Sequence, residues 1–258
     1  MPHTSDTRYA VVSCHVERIL DDNAFAGLLR LVKRRAGGLS IAALVRPPDT
    51  AAGEGEDVWL ERARQLAAAG PLGHHTHWTS PTHARPGVGT DPAARVHREG
   101  EWFREQGLAP TIFCGGGWYT DAAVAAACAS LGYVDCTPRA RRPSYLQPGA
   151  SWACLAAPAR LETAAGELTA VPTTHSIGDI TRAVTRPRGL PDPVVHVYFH
   201  DTDLLHAGRR AALVAALHLL GRRRTASDID SAAALVGAAA PLIPFAAVAG
   251  GEASGPPE

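Results

Sequence analysis

Regular alternation of strand-like and helix-like segments is the feature that most restricts how this chain of 258 residues can fold. Short apolar, β-branched runs, of which residues 9 to 16 and 194 to 199 are the clearest, are separated by longer stretches with helical spacing of apolar residues. Such alternation indicates a mainly parallel sheet with helices packed on it, either open or closed into a barrel. We therefore expect an α/β protein.

Glycine and proline residues mark the ends of most predicted elements. The predicted strands are residues 9–16, 39–45, 72–77, 111–113, 133–136, 167–174 and 194–199, and the predicted helices are residues 23–36, 58–69, 91–106, 121–131, 180–186, 204–220 and 225–236. Residues 139 to 159 are Pro-rich and are expected to be irregular. One domain is predicted over residues 1–246, and residues 247–258 are predicted to form a disordered tail.

Composition narrows the partners and the compartment. The chain has 25 basic and 25 acidic residues, a balance that argues against nucleic acid or an anionic membrane as partner. No apolar run approaches the roughly 20 residues that a membrane span needs, and the polar start lacks the core of a signal peptide. Five cysteines without CxxC spacing fit a reducing compartment, so a cytoplasmic protein with a small-molecule substrate is expected. The oligomeric state is left open.

Three histidines lie within four residues at the end of the third predicted strand, in Gly73-His74-His75-Thr76-His77. Side chains two residues apart on a strand point to one face, so His75 and His77 are expected together, with His74 on the opposite face. Two imidazoles at a strand end can bind a metal or relay a proton. The alternative is a His-rich surface loop.

Polar residues of catalytic type follow several other predicted strands as well. In parallel α/β folds the carboxyl ends of the strands form one edge, where active sites are found, so these residues are expected to meet. They are His15 and Glu17, His75 and His77, the segment from Gly115 to Trp118, His175, and His200 with Asp201. No glycine-rich phosphate-binding motif follows the first strand, which argues against a nucleotide site.

The sequence allows more than one role for several other side chains. Trp118 and Tyr119 fit stacking on a flat substrate or an ordinary place in the core, and His175 fits a place in the pocket wall. His196, deep in a strand, is interpreted as a hydrogen-bonded core residue. The basic residues Arg139, Arg141 and Arg142 fit either a solvated loop or the binding of an acidic substrate group.

The strand-end motifs resemble those of the polysaccharide deacetylase superfamily (NodB homology, carbohydrate esterase family 4-like). Ser13-Cys14-His15-Val16-Glu17 lies where that family has its Asp-containing motif, and Gly73-His74-His75-Thr76 is similar to its metal-binding Gly-x-His-Thr motif. Phe199-His200-Asp201 is similar to the motif that carries the catalytic acid. The resemblance spans about residues 9 to 230. It implies a distorted (β/α) barrel of about seven parallel strands and a polysaccharide-deacetylase-like domain.

The chain departs from the family pattern in three places. His15 stands where the family has its Asp general base, and Thr79 stands where the family has a second histidine ligand. The family's arginine, which pairs with that Asp, is missing from Phe113 to Trp118. An arginine without its carboxylate would be an unpaired buried charge, so the paired loss indicates a rebuilt site.

These observations predict metal-assisted hydrolysis of an acyl–nitrogen bond in a small, intracellular and sugar-like substrate. Glu17, His75 and His77 are the predicted ligands of a divalent metal, with zinc first and nickel, cobalt or manganese as alternatives. His15 is the predicted base or a fourth ligand, and His200, oriented by Asp201, the predicted acid. The remaining predicted contacts to the substrate are Gly116, Gly117, Trp118, Tyr119 and His175. Two alternatives remain: a metal-independent amide hydrolase that uses histidines for acid–base chemistry, and a non-catalytic domain that binds a carbohydrate or other small molecule.

Overall fold

The computed structural model describes residues 7–87, 89–144, 146, 149–186, 190–237 and 239–250. The strands are β1 Tyr9–Val16, β2 Ile41–Val45, β3 Leu72–Thr76, β4 Ile112–Gly115, β5 Val134–Asp135, β6 Ala159–Thr163, β7 Gly166–Ala170, β8 Val194–His200, β9 Thr225–Ala226 and β10 Leu242–Pro244. The helices are α1 Asp22–Arg34, α2 Glu56–Ala69, α3 Pro92–Glu105, α4 Ala122–Leu131, α5 Ile177–Ala183, α6 Ala207–Arg223 and α7 Ile229–Gly237.

The strands form one sheet in the order β10-β6-β7-β5-β4-β3-β2-β1-β8, with β9 beside β1. Every ladder in it is parallel except the one between β6 and β7, so the prediction of a mainly parallel α/β sheet is confirmed. The path of ladders is open, and the predicted closed barrel of about seven strands is not confirmed. The two ends of the row β5-β4-β3-β2-β1-β8 are connected by hydrogen bonds and an isolated bridge of residues 171 to 175 and not by a ladder, while the antiparallel hairpin of β6 and β7, with β10 on its outer edge, extends the sheet beyond β5.

The segment that follows β7 runs from β5 to β8, the two ends of the row of strands β5-β4-β3-β2-β1-β8. The amide of Val171 donates to the carbonyl of Asp135 in β5, and His175 forms an isolated parallel bridge with Val197 of β8. The amide of Tyr198 donates to the carbonyl of His175 over 2.9 Å. Residues 171 to 175 therefore lie between β5 and β8 and bring His175 to the edge where the other strand-end residues meet.

The predicted bounds of β1 are confirmed, and its two faces differ as the period of two requires. One face packs against α1 and α6. On that face Cys14 belongs to the same hydrophobic cluster as Leu28 of α1 and Leu217 of α6. The opposite face carries Ser13 and His15 toward the interior of the curved sheet. Both are buried, so β1 presents polar groups to an enclosed space.

Side-chain caps fix where the main helices begin. The carboxylates of Asp21, Asp91 and Asp121 accept backbone N–H groups in the first turns of α1, α3 and α4. Ser176 and Asp179 form a reciprocal capping box at α5. These caps fix the helix starts, so the loop after β1, which carries Glu17, has five residues, whereas the loop after β3, which carries His77, has fifteen.

The structure describes the first four residues of the predicted disordered tail, 247 to 250. Phe245–Ala247 forms a helical turn, and Ala249 bridges Ala153, so residues 247 to 250 pack on the domain. The rest of the predicted tail, residues 251 to 258, lies outside the described residues. Within the described ranges, no helix has the length and apolar character needed to cross a bilayer.

Candidate functional site

Glu17, His75 and His77 converge at the carboxyl ends of β1 and β3, and we call them the donor triad. Their potential ligand atoms all lie within 4.8 Å of one another. The Glu17 carboxylate is 3.6 Å from Nε2 of His75 and 3.1 Å from Nε2 of His77. Burial alone would raise the pKa of Glu17, but hydrogen bonds and charge from the two imidazoles lower it far below its usual range. The carboxylate is therefore ionised and directed at both rings.

Backbone carbonyls orient both imidazoles of the triad. Nδ1 of His75 lies 2.8 Å from the carbonyl of Cys114, and Nδ1 of His77 lies 2.7 Å from the carbonyl of Pro81. A carbonyl can only accept, so each Nδ1 donates and each Nε2 faces Glu17. A protonated ring directs an N–H from Nε2 toward the carboxylate, whereas a neutral ring offers a lone pair that a metal can use. Nε2 of His77 is buried, and Glu17 lies 3.1 Å from it.

This donor set fits a divalent metal. Zinc is held by imidazole nitrogen and carboxylate oxygen at about 2.0–2.2 Å, so neighbouring tetrahedral ligands are roughly 3.3 Å apart. The two carboxylate–imidazole distances, 3.1 and 3.6 Å, lie on either side of that value. Structural zinc sites have four protein ligands, whereas a set of three leaves a position for water or substrate.

Gly73 lets β3 lie close enough to its neighbours to place the two histidines. A Cβ atom added at Gly73 would lie 2.1 Å from Cδ2 of Leu44 and 3.0 Å from the carbonyl oxygen of Ile112. These separations are far below van der Waals contact, so a side chain here would push β3 away from β2 and β4. In the observed register His75 is paired with Cys114 of β4, which supplies the carbonyl that orients its ring.

His15 lies beside the triad and is almost completely buried, with 4% of its surface exposed. Its ring stacks on His75 at 4.4 Å between centroids and meets His200 edge-on at 5.3 Å. Burial, followed by the neighbouring imidazoles, lowers the pKa of His15 well below its usual range. Its Nε2 is buried without a hydrogen-bond partner in the described part of the chain. His15 is therefore a neutral imidazole with an unsatisfied nitrogen.

A second group of potential metal ligands overlaps the first and consists of His15, His75 and Cys114. Complete burial raises the pKa of the Cys114 thiol, which keeps it protonated. Thiolate, not thiol, is the form that binds metals, so this group is the poorer site. The triad, whose carboxylate is 22% exposed, lies nearer the solvent from which a metal would enter.

The predicted pairing of His200 with Asp201 is wrong. The carboxylate of Asp201 is fully buried and accepts the backbone N–H groups of Glu17 and Arg18, at 3.1 and 2.8 Å. The residue near the His200 ring is Asp203, whose carboxylate lies 4.0 Å from Nδ1 and accepts the His200 amide. Asp201 therefore holds the loop that carries Glu17, because the turn after β8 directs its side chain away from His200.

His200 itself is at the mouth of the site. Its side chain is 39% exposed, and its ring lies 5.3 Å from His15 and 5.8 Å from Tyr198. Burial, together with the charge of His75, lowers the pKa of His200 although nearby carboxylates oppose the shift, and this disfavours a protonated resting state at neutral pH. The position predicted for a proton donor is thus occupied by an accessible imidazole next to His15.

The glycine loop after β4 brings Trp118 into the site. Gly117 and Trp118 both have φ of 61°, a value that is uncommon for a tryptophan and costs conformational energy. With this backbone the indole of Trp118 lies 5.5 Å from His15 and 4.8 Å from Tyr198. The predicted neighbourhood of Trp118 and the histidines is therefore present.

Tyr119, predicted to contact the same substrate, faces elsewhere. Its ring packs on Trp78, and its hydroxyl donates to Asp121 over 2.6 Å. Together with Gly117 and Ser151 it lines a separate cavity of about 340 Å³. Consecutive residues 118 and 119 thus lie on opposite sides of the loop. Gly116 is buried, and its carbonyl accepts the indole N–H of Trp78.

His175 is half-buried beside β8, with Nδ1 2.7 Å from the hydroxyl of Thr174. Burial lowers its pKa, and Arg139 adds to the effect, so the two side chains are electrostatic neighbours. No ring contact joins His175 to the donor triad within the described residues. Its predicted place in the pocket wall remains a prediction.

Sequence reasoning missed Tyr198 as a site residue and gave Arg139 no firm role. Tyr198 shares a face of β8 with His200, and its ring lies 5.4 Å from His15. The guanidinium of Arg139 covers the Trp118 ring at 4.4 Å and the Tyr198 ring at 5.2 Å. The period of two along β8 could have identified Tyr198, whereas nothing in the run of arginines separates Arg139 from its neighbours.

Two other histidines are structural, as predicted. His74 lies on the opposite face of β3 and bonds Glu99 and Thr76 at 2.8 Å each. His196 is fully buried, lies 2.8 Å from the hydroxyl of Ser13, and has a pKa lowered by burial to about 4. Neither one faces the triad.

Comparison with known proteins gives information on the fold and none on the activity. No family model and no curated protein matches the chain. Among solved structures, a 4-alpha-glucanotransferase from Thermococcus litoralis matches with a TM-score of 0.59 and 10% identity. The match covers 93% of this chain but only 42% of that one. At this identity it indicates a shared fold without indicating a shared activity.

A family 4 carbohydrate esterase from Streptomyces lividans, solved in complex with acetate, also matches, with a TM-score of 0.46 and 14% identity. That match covers 84% of this chain and 88% of the esterase. A TM-score this low assigns neither fold nor function.

Proposed function

We propose that this protein is a metal-assisted hydrolase that removes an acyl group from the nitrogen of a small substrate. The observation that carries the proposal is the donor triad, with its ionised carboxylate and two imidazoles oriented by backbone carbonyls. The motif resemblance to polysaccharide deacetylases supports the acyl–nitrogen bond as the target, and zinc is the metal that the donor set fits best.

The chain's own groups supply the remaining requirements of hydrolysis. A divalent metal, when bound by Glu17, His75 and His77, would lower the pKa of a water molecule and polarise the acyl carbonyl. His15 accepts a proton, because its neutral ring has a buried nitrogen without a partner. His200, whose ring lies beside that of His15 at the mouth of the site, would pass this proton on to the leaving nitrogen, and Trp118 forms the wall.

Asp201 is a positioning residue in this proposal. It fixes the backbone of Glu17 and Arg18 through two hydrogen bonds and does not contact the reacting groups. This replaces the role first assigned to it, orientation of His200. The backbone amides of Gly116 to Trp118 stay as candidate donors to the oxyanion.

The test is metal analysis combined with an assay for release of acetate. Purified protein is loaded with zinc, nickel, cobalt or manganese, and bound metal is counted by mass spectrometry. We expect one metal per chain, together with acetate release from N-acetylated sugars or amino acids that a chelator abolishes. His77→Ala should lose both properties, whereas His206→Ala, a matched change at an exposed position, should keep them.

Absence of stoichiometric metal after reconstitution with all four ions would refute the metal site. A second candidate would then gain support, namely metal-free acid–base hydrolysis. The buried, neutral ring of His15 and the direct approach of Glu17 to Nε2 of His77 favour it, because these groups can accept and donate protons without any ion. Acetate release that survives chelation and is lost in His15→Ala would identify this alternative.

A further inference from the structure

Arg139 lies beside the candidate site, and the part of the chain that the structure describes offers it no carboxylate partner. Its Nε and Nη1 are buried and have no hydrogen-bond partner, and no carboxylate pairs with it, among the residues the structure describes. Buried N–H groups without an acceptor are costly, because they have lost water, and the contacts of the guanidinium with Trp118 and Tyr198 do not satisfy Nε and Nη1. Such unsatisfied groups need an explanation, and a ligand that supplies the missing acceptor is one.

The backbone of Arg139 is held on both sides, so its side chain starts from a fixed point. Its amide donates to the carbonyl of Ala153 over 3.0 Å, and its carbonyl accepts the amide of Leu155 over 2.9 Å. It also forms bridges with Cys154 and Thr173. A residue anchored in this way is not part of a solvated loop. Of the two interpretations that the sequence allows for Arg139, the structure therefore favours binding of an acidic group.

Aromatic rings hold the guanidinium next to the histidines. Its Cζ lies 4.4 Å from the Trp118 ring centre and 5.2 Å from that of Tyr198. Both rings contact His15, at 5.5 and 5.4 Å. Cation–π contacts orient a guanidinium but leave its N–H groups, which lie in its plane, free to donate. Because Arg139 is half-buried and not enclosed, part of it stays accessible.

We propose that Arg139 binds an anionic group of the substrate, a carboxylate or a phosphate, and thereby selects negatively charged N-acyl compounds. The planar fork of N–H donors matches the oxygen atoms of either group. Only the N-acyl part of this inference rests on the proposed function. Recognition of the anionic group by Arg139 needs no metal.

Binding of matched probes by isothermal titration calorimetry tests it. One pair is N-acetylglycine and N-acetylglycinamide, which differ by a carboxylate. The other is N-acetylglucosamine 6-phosphate and N-acetylglucosamine, which differ by a phosphate. We expect the charged member of at least one pair to bind about tenfold or more tightly than the neutral one. The pair that shows the difference identifies the kind of anion.

Variants assign the preference to one side chain. Arg139→Gln should bring the charged and neutral probes to equal affinity, and Arg139→Lys, which keeps the charge without the fork, should keep part of the preference. Arg182→Gln is the matched control, because Arg182 pairs with Asp179 on an exposed helix surface. Circular dichroism melts establish that each variant is folded; if Arg139→Gln is not, Arg139→Lys and the unmodified protein decide.

Equal binding of both members of each pair by the unmodified protein would overturn the inference, as would failure of every charged probe to bind. A preference that survives in Arg139→Gln would overturn it too. Repeating the titrations on chelator-treated protein separates the two proposals. Charge preference without metal or hydrolysis refutes the proposed function alone, whereas metal binding and hydrolysis without charge preference refute this inference alone.

Discussion

Two clusters of glutamate and histidine lie on opposite faces of β3 and differ in how their polar atoms are used. In the first, which we call the structural cluster, Glu99 accepts from His74, Thr76 and Arg95 at 2.7–2.9 Å. The ring of His74 is packed edge-on against Phe103, Phe113 and Tyr133. In the donor triad, the carboxylate faces two imidazole nitrogens whose other ring nitrogens are already bonded to carbonyls.

The comparison shows that a buried Glu–His pair is not by itself evidence of function. In the structural cluster the acidic oxygens have partners from the same protein, and aromatic rings exclude a ligand. Both clusters keep one buried imidazole nitrogen without a hydrogen bond among the described residues, Nδ1 of His74 and Nε2 of His77. The triad differs because its carboxylate is 22% exposed, whereas that of Glu99 is 12% exposed and is bonded on both oxygens. Access to the carboxylate oxygens, more than residue type or one unsatisfied nitrogen, separates a binding site from a core network.

Replacing the triad carboxylate should have the largest effect. Glu17→Gln removes the charged ligand, and we expect at least a 100-fold weaker affinity for zinc, since even residues that only orient ligands change affinity by about 10–100-fold. The rate of acetate release should fall by about a thousandfold, or about 4 kcal/mol in the barrier. Zinc titration with a competing chelator and steady-state kinetics measure the two changes; unchanged zinc affinity would contradict the ligand role.

The equivalent change in the structural cluster should act on stability instead. Glu99→Gln leaves His74, Thr76 and Arg95 without their shared charged acceptor, and we expect the free energy of unfolding to fall by about 3 kcal/mol. Urea denaturation measures the change, and Glu101→Gln, an exposed position of the same helix, is the control. Zinc affinity should not change in either variant. A loss of zinc in Glu99→Gln with normal stability would remove the distinction between the clusters.

Asp201→Asn tests how the triad is held in place. The side-chain oxygen of asparagine can accept only one of the two backbone N–H groups of Glu17 and Arg18. We expect zinc affinity to fall about tenfold, while the pH profile of activity keeps its shape, because Asp201 does not orient His200. Asp203→Asn, which alters the group near the His200 ring, should change that profile. The reverse pattern would restore the original pairing of His200 with Asp201.

Acid titration should show the smallest effect. Burial opposes ionisation of Glu99, but its bonds to His74 and Arg95 lower its pKa below its ordinary value of 4.5. A carboxyl group with a depressed pKa in the folded state contributes stability above its unfolded value and loses it as the pH falls through the folded value. The difference in unfolding free energy between the unmodified protein and Glu99→Gln should thus be constant near neutrality. Below about pH 4.5 it should shrink by at most about 1.4 kcal/mol per pH unit. A difference independent of pH would show that Glu99 is not ionised.

Much of the fold follows from local patterns in the sequence. β1 is found at its predicted bounds, and the parallel arrangement follows from the alternation of strands and helices. The hairpin of β6 and β7 was missed because its turn, Ala164-Ala165, carries none of the Gly or Asn signals of a tight turn. The prediction of a closed barrel came from the resemblance, and the added hairpin and edge strand departed from it.

The candidate site was predictable only where the period of two applies. The shared face of His75 and His77 and the approach of Glu17 follow from strand geometry. The role of Asp201 did not, because adjacency to His200 in sequence does not reveal that its carboxylate turns toward β1. Arg139 depends on contacts between β5, the glycine loop and β8, which are distant in the sequence.

The hydrogen bonds of Asp201 to the loop after β1 also set an order of events during synthesis. All three donors are translated by residue 77, but the carboxylate that holds the Glu17 backbone follows more than 120 residues later. Once β3 has emerged from the ribosome, the nascent chain contains both imidazoles but not yet Asp201, which holds the backbone of Glu17 and Arg18. If the triad binds a metal as proposed, tight binding would require β8 to have paired with β1, because only then is Asp201 in place.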